Sequence, residues 1–266
     1  MTISSQFLHQ GNKAIAVPKP HDLLKVKGKL LSFLPNSIFL NARMAYHRHS
    51  HKSGKKVSPF YLYYSEKIVF IHIPKNAGTF INSIVYPSMP PETSTEINAH
   101  HSVQYLKKLD PKSFASMRKF AILRHPLERL HSAFNYLKFK TPFYPDKKFA
   151  ENHLAHFPDF DTFCSKLSVE EFEDLLNWPH FQPQISFICD VKGTLLVDAL
   201  TTFEGMDQGM PKIGTPWGKT WSVRTKVSSA NLDNRAAMQL VEAYYAHDLR
   251  LWEKVHAEPG HQCFVA

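Results

Sequence analysis

The sequence predicts an α/β fold in which one mostly parallel sheet is flanked by helices. Three observations carry this. Lys67–Ile73 (KIVFIHI) and Phe120–Leu123 (FAIL) are short runs of β-branched and other apolar residues, the pattern of strands buried on both faces. Each run passes through a tight turn into a segment with helical periodicity. Strand, turn and helix therefore recur, as they do in a parallel sheet with crossover helices.

The elements follow in order. Residues 1 to about 20 are polar and irregular, with no continuous apolar segment of the kind a signal peptide carries. In residues 22–34, Leu23, Leu24, Leu30, Leu31 and Leu34 can share one helical face, with Lys25, Lys27 and Lys29 off it. A helix docked on the domain is the plainer reading, because Gly28 and Pro35 weaken and shorten it. A membrane-surface helix is the sharper one, so peripheral membrane contact stays open. The stretch 47–56 (HRHSHKSGKK) has no carboxylate or cysteine and reads as a solvated loop rather than a metal site.

Beyond the first strand, Phe80–Tyr86 forms a short helix ended by Pro87, Pro90 and Pro91, and His101–Leu109 forms another. The helix after the second strand opens on Pro126 and runs to about Lys138, with Leu127, Leu130, Phe134 and Leu137 on one face. Ser168 and Glu171 make a capping box for SVEEFEDLLNW. Thr194–Phe203 reads as a third strand, 205–229 as a long functional or mobile loop, and 231–256 as one closing helix. We expect one domain, 66–266, preceded by an N-terminal extension, 1–65, that is partly helical and packs on it.

Composition sets limits. With 43% hydrophobic and 21% charged residues, the 266-residue chain can bury an ordinary core. The net charge of +9 favours anionic partners without choosing among them. Cys164, Cys189 and Cys263 are odd in number and widely spaced, which argues against a disulfide framework or a zinc site. No stretch approaches the roughly 18 apolar residues of a membrane span, and the chain reads as a soluble cytoplasmic protein. No recognition helix, zinc motif or aromatic RNA platform accompanies the charge, so nucleic acid is not expected as a partner.

Two segments carry chemistry. In IHIPKNAGTF a strand meets a tight turn and then a helix start, where backbone N–H groups can hold anionic oxygens. Gly78 permits close approach, Thr79 adds a hydroxyl, and Lys75 supplies a mobile charge. The plain alternative is a structural turn with a surface lysine. The segment lacks the GxxxxGK[ST] order of a Walker A loop, because Lys75 precedes its only glycine. In FAILRHPLERLHSAFNYL, Arg124 ends the second strand and Ser132 lies eight residues on. Ligands gather at the carboxyl ends of parallel strands, so Arg124 falls on the edge that holds Lys75. Its planar fork suits a phosphate, and Ser132 can add a hydroxyl. Arg129 reads more readily as structural, paired with Glu128 or a carboxylate elsewhere.

Together these segments resemble the two phosphate motifs of sulfotransferases that use 3′-phosphoadenosine 5′-phosphosulfate (PAPS), of the carbohydrate type related to heparan sulfate 2-O- and chondroitin/dermatan enzymes. HHSVQYLK, FQPQISFI, LTTFEGM and EAYYAHDLRLW resemble weaker collinear segments of that family, so the likeness spans about 66–255. Lys226–Ala230 departs from the Asn and Ser that many members carry before the last helix, and the membrane anchor of vertebrate members has no counterpart, which makes a bacterial-like enzyme the better match.

The resemblance implies a P-loop-like three-layer fold and in-line transfer of a sulfuryl group to an acceptor hydroxyl, with 3′-phosphoadenosine 5′-phosphate (PAP) leaving. It implies that Lys75, Asn76, Ala77, Gly78, Thr79 and Phe80 cradle the 5′-phosphate, and that Arg124 and Ser132 hold the 3′-phosphate. Lys75 would also stabilise the leaving oxygen, and no metal is required. His101 aligns best as general base, with the adjacent His100 as the alternative; a helix-start histidine is the plain reading of either. The family suggests a glycan acceptor. Lys212, Lys219, Arg224 and Lys226 could close over the adenosine or steer an anionic acceptor, and Trp217 and Trp221 either stack on a ligand or pack in the core. The rival readings are a P-loop kinase or other nucleotide-phosphate enzyme, and a non-catalytic PAP- or polyanion-binding module.

Overall fold

The computed structural model describes residues 60–89, 100–223 and 234–265, together with Thr2, Ile3 and single positions between 45 and 53. The expected helix at 22–34, most of the histidine-rich stretch and Lys226–Ala230 lie outside the described residues.

The strands are β1 (Thr2–Ile3), β2 (Ile68–Ile71), β3 (Arg118–Leu123), β4 (Ala199–Thr202) and β5 (Gln262–Val265), in the spatial order β1-β5-β4-β3-β2. β2 pairs with β3, β3 with β4, and β1 with β5 in parallel; only β4–β5 is antiparallel. The helices are α1 (Phe60–Glu66), α2 (Gly78–Val85), α3 (Val103–Leu109), α4 (Pro111–Ser116), α5 (Pro126–Asn135), α6 (Tyr144–His153), α7 (Phe160–Lys166), α8 (Val169–Leu175), α9 (Ile185–Ile188), α10 (Met206–Gly214), α11 (Arg235–Tyr244) and α12 (Ala246–His256). This is a mixed α/β architecture with a mostly parallel sheet flanked by helices, consistent with the P-loop-like fold expected.

β2 and β4 are buried at every position, as is β3 beyond Arg118, which is why these strands read as unbroken apolar runs. Their core joins Ile81 and Val85 of α2, Met206 and Met210 of α10, and Leu251 and Val255 of α12. A second core lies among the helices beyond β3. Leu127, Leu130 and Phe134 of α5 pack there with Phe163, Phe172 and Val241. Ser168 and Glu171 form the predicted capping box at the start of α8.

Several expectations are corrected. Residues 206–214 are helical rather than loop. Met206, Met210 and Ile213 recur at helical spacing and are buried, so packing overrides Gly209 and Pro211. Gly209 is required, because a methyl there would overlap Thr201 of β4. The third strand spans only Ala199–Thr202; upstream, Leu195 instead makes an isolated antiparallel bridge with Cys189. The closing helix is two helices, α11 and α12, broken at Tyr245, whose ring is buried and whose hydroxyl donates to the Phe181 carbonyl at 2.5 Å. α3 begins at Val103, because the Ser102 side chain caps it by accepting from the Tyr105 N–H. α5 ends at Asn135, where a π-helical turn, Tyr136–Lys140, takes over.

Candidate donor site at the carboxyl ends of β2 and β3

Parallel pairing in the register Ile71↔Ala121 carries the chain off β2 and β3 on the same edge of the sheet. After β2 it enters His72-Ile73-Pro74 and then a turn in which Lys75 (φ 70°) and Ala77 (φ 58°) are both left-handed. Left-handed non-glycine residues cost roughly 1–3 kcal/mol each and persist where the surroundings hold them, typically at functional sites. Turns of this kind point successive N–H groups into one concavity, which suits an anion. Ala77 is the N-cap of α2 and has no side chain able to cap it. The positive end of α2 therefore opens toward the turn. Gly78 is buried against His72, and a methyl at this position would overlap the imidazole. Thr79 and Phe80 are exposed at the helix start.

Asn76 has a different role from its neighbours. It is fully buried, and its Nδ2 donates to the Ile122 carbonyl of β3 at 2.6 Å and to Gln184 Oε1 at 2.7 Å. The same Gln184 side chain accepts from the Arg124 N–H at 2.9 Å and donates to the Arg124 carbonyl at 2.8 Å. One buried amide thus ties the turn after β2 to the chain leaving β3. Asp248 of α12 holds this amide's backbone, accepting from the Gln184 and Ile185 N–H groups at 2.6 and 3.0 Å. Burial pushes the Asp248 carboxyl up to about 6, against the pull of Arg129 and these hydrogen bonds. Arg129 is buried and donates to the carbonyls of Pro74 and Gln182 at 3.0 and 2.8 Å, so it braces the turn from behind.

Arg124 is half-buried. Its guanidinium donates to the Lys75 carbonyl at 3.1 Å, lies 3.4 Å from Glu128 Oε2, and stacks 4.5 Å from the centre of the Phe203 ring. Its Nε is buried without a hydrogen-bond partner. Ser132 stands half-buried two turns along α5. Glu204, beyond β4, accepts from the His125 N–H and from Trp252 Nε1 at 3.0 and 2.9 Å, which fixes the entry to α5.

Lys75 Nζ sits 3.7 Å from the centre of the Tyr136 ring. Burial, then the nearby Arg124 and Lys140, push its ammonium down to about 8. His180 stacks on the same ring with centroids 5.2 Å apart, and His100 meets His180 edge-on at 5.4 Å. His100 Nδ1 lies 3.2 Å from the His72 carbonyl. A carbonyl only accepts, so Nδ1 carries the proton and Nε2 keeps its lone pair. Burial pushes His100 down to about 3, and the ring is neutral at physiological pH. His101 is buried instead against Tyr105, with rings stacked at 4.8 Å. The structure therefore brings Lys75, Arg124 and His100 to one edge and directs His101 into the α3 core.

A model of the sulfotransferase family matches residues 58–214, more than half of the chain. The chain belongs to the sulfotransferase family. Comparison with curated proteins and with solved structures returned no match. The family assignment makes the protein a transferase whose chemistry is sulfuryl transfer to a hydroxyl-bearing acceptor.

In this sulfotransferase the residues at this edge suit anionic oxygens. The uncapped end of α2, the Lys75 ammonium and the unpartnered Arg124 Nε are cationic or donor groups awaiting anionic oxygens. Among the described residues no group of histidines, cysteines and acids could hold a metal ion, and no helix is long and apolar enough to cross a membrane. Trp221 is buried against Phe120 and Trp217 packs on the same ring, so both belong to the core. Lys219 pairs with Glu66 at 2.6 Å and Lys212 donates to the Pro259 carbonyl. Arg224 lies outside the described residues.

Sequence reasoning missed Gln184, Asp248, Tyr136 and His180. The first two sit in the weak collinear segments FQPQISFI and EAYYAHDLRLW, so a signal existed for them. Tyr136 lies near the end of FAILRHPLERLHSAFNYL but was given no role there, and His180 had no signal, because only the fold brings them beside Lys75.

Proposed function

We propose that this sulfotransferase takes its sulfuryl group from PAPS and delivers it to a hydroxyl of a glycan or glycoconjugate. The observation that carries the reading is the meeting of Lys75 and Arg124 at the open end of α2, with Arg124 hydrogen-bonded to the Lys75 carbonyl. The 5′-phosphate lies against the N–H groups of Ala77, Gly78, Thr79 and Phe80, with Asn76 holding the turn from within. The 3′-phosphate takes Arg124 and Ser132. The acceptor oxygen attacks sulfur in line, the new O–S bond forms as the bond to the 5′-phosphate oxygen breaks, and PAP leaves with the electron pair. Lys75 neutralises the departing oxygen.

We take His100, rather than His101, as the general base. Its ring packs edge-on to His180, which stacks on the Tyr136 ring beside Lys75, and its proton sits on Nδ1 toward the His72 carbonyl, whereas His101 stacks on Tyr105. Donor and acceptor binding must raise its basicity from the buried resting value. The acceptor assignment draws support from Phe139, Phe143 and Tyr144, which are 59, 47 and 74% exposed in and after the π-helical turn, with Lys140 beside them. Exposed aromatic rings and lysines suit sugar faces bearing anionic groups.

The test is the thermal shift of the protein with PAP, AMP, ADP and Mg-ATP. A ligand at ~100 times its Kd stabilises by roughly 2.7 kcal/mol. A PAP-selective shift, weakened in Lys75→Ala and Arg124→Ala, is the expected result. An equal shift with Mg-ATP would return the site to a kinase-like reading. Transfer of labelled sulfate should then be lost in His100→Ala with the PAP shift retained, and persist in His101→Gln; a binding response without any transfer in the wild type would leave a PAP-binding module.

A further inference from the structure

We infer that Tyr136 is a positioning residue that holds Lys75 in register for the donor and keeps it charged before the donor arrives. The inference rests on the donor-site reading of Lys75 given above.

The geometry starts in the backbone. The Thr141 N–H donates to the Tyr136 carbonyl at 2.8 Å, closing an i→i+5 turn at the end of α5. Such π-helical turns shift the register of a helix by one residue and cluster at functional sites. Here the ring at position 136 comes under the Lys75 ammonium, 3.7 Å from its centre. The Tyr136 hydroxyl bonds to Thr141 and Asp146, and Thr141 Oγ1 donates to Asp146 Oδ2 at 3.1 Å. The ring is therefore pinned at its polar tip while its face stays available to the ammonium.

The charges around Lys75 explain why a ring is needed. Arg124, Lys140 and Arg129 all repel the ammonium, and Asp146 is the carboxylate that opposes them. His100 and His180 also face it, and both are neutral because burial holds them well below the ordinary histidine value. A second carboxylate beside Lys75 would hold the charge more firmly, but it would repel the donor's phosphates and compete for the same ammonium. An aromatic face offers negative potential without a net charge. It can retain the ammonium and then release it to the phosphates. His180, stacked on the same ring and edge-on to His100, keeps the base in the same packed cluster.

The experiment titrates Lys75 directly in the donor-free protein, through the pH dependence of its acylation by a small amine reagent, read by mass spectrometry. Four proteins are compared: wild type, Tyr136→Phe, Tyr136→Leu, and a variant carrying trifluorinated phenylalanine at 136. The fluorinated ring keeps the shape of phenylalanine and loses its negative face, so it serves even if Tyr136→Leu does not fold. A midpoint in Tyr136→Phe near that of wild type is expected, with a fall of about half a unit in the fluorinated and leucine variants. Equal midpoints in Tyr136→Phe and the fluorinated variant would overturn the inference. The wild-type PAP shift is measured alongside. Its absence would remove the donor-site reading, whereas a normal PAP shift with equal midpoints would remove only the role of Tyr136.

Discussion

At the residue scale, Lys75 is kept where a lysine is least comfortable. Its ordinary value of 10.5 is lowered to about 8 because burial and neighbouring cations disfavour the charged form. The sign of the linkage follows. Below pH 8 the ammonium is present in both folded and unfolded chains, and the folded state bears the full cost of burying it. Between about 8 and 10.5 the folded lysine is neutral while the unfolded one is still charged, so that cost disappears as pH rises. Lys75→Met should therefore unfold at a higher temperature than wild type at pH 7, by roughly 1 kcal/mol or about 2–4 °C, with no response to PAP. The gap between the two proteins should close as the pH approaches 10.5. Calorimetry across this range checks it; a variant less stable than wild type at pH 7 would contradict the account. His100 shows the same economy of environment. Its proton is fixed on Nδ1 by the His72 carbonyl, three residues before Lys75.

At the element scale, the junction of β2 and α2 depends on the absence of a side chain at one position. The His72 ring occupies the space that a methyl on Gly78 would need. Gly78→Ala should push His72 aside or tilt α2, destabilising by about 2 kcal/mol or more and abolishing the PAP response, as a combined urea and ligand titration would show. Elements like this one were legible from sequence because they are local. The strand runs at β2 and β3, the helix start at Pro126 and the capping box at Ser168 each depend on neighbours within a few residues, whereas α2 begins at Gly78, two residues before the Phe80 start expected. The elements that were misread depend on distant partners. α10 forms despite Gly209 and Pro211 because β4 and the core accept its Met206, Met210 and Ile213 face. The break at Tyr245 serves a hydrogen bond to Phe181, 64 positions away. β5 escaped notice because QCFV is short and gains its meaning only beside β4. At the site, the motifs pointed to Lys75 and Arg124, while the proposal of His100 over His101 draws on the packing around Tyr105 and His72.

At the scale of the whole molecule, the turn after β2 and the chain leaving β3 are far apart in sequence and are joined by one amide. Gln184 bonds Asn76 and both backbone polar groups of Arg124, and α12 holds it through Asp248. Gln184→Leu leaves Asn76 Nδ2 and the Arg124 backbone short of buried partners, so it should cost about 2–4 kcal/mol. It should also weaken PAP binding at least tenfold, although Gln184 is assigned no contact with the ligand. An affinity loss with unchanged stability would place Gln184 in the ligand shell instead. The order of the strands carries a separate consequence for synthesis. β5 lies between β4 and β1, and Thr2 is paired with Phe264. A chain emerging from the ribosome completes β2, β3 and β4 long before residues 262–265 exist. Throughout that interval one edge of β4 is an open template, and the first strand has nothing to join. Such edges recruit strands from other chains, and pairings across so many residues form slowly. Yield from a crowded translation system should thus be governed by how well that bare edge is guarded until the last strand is delivered.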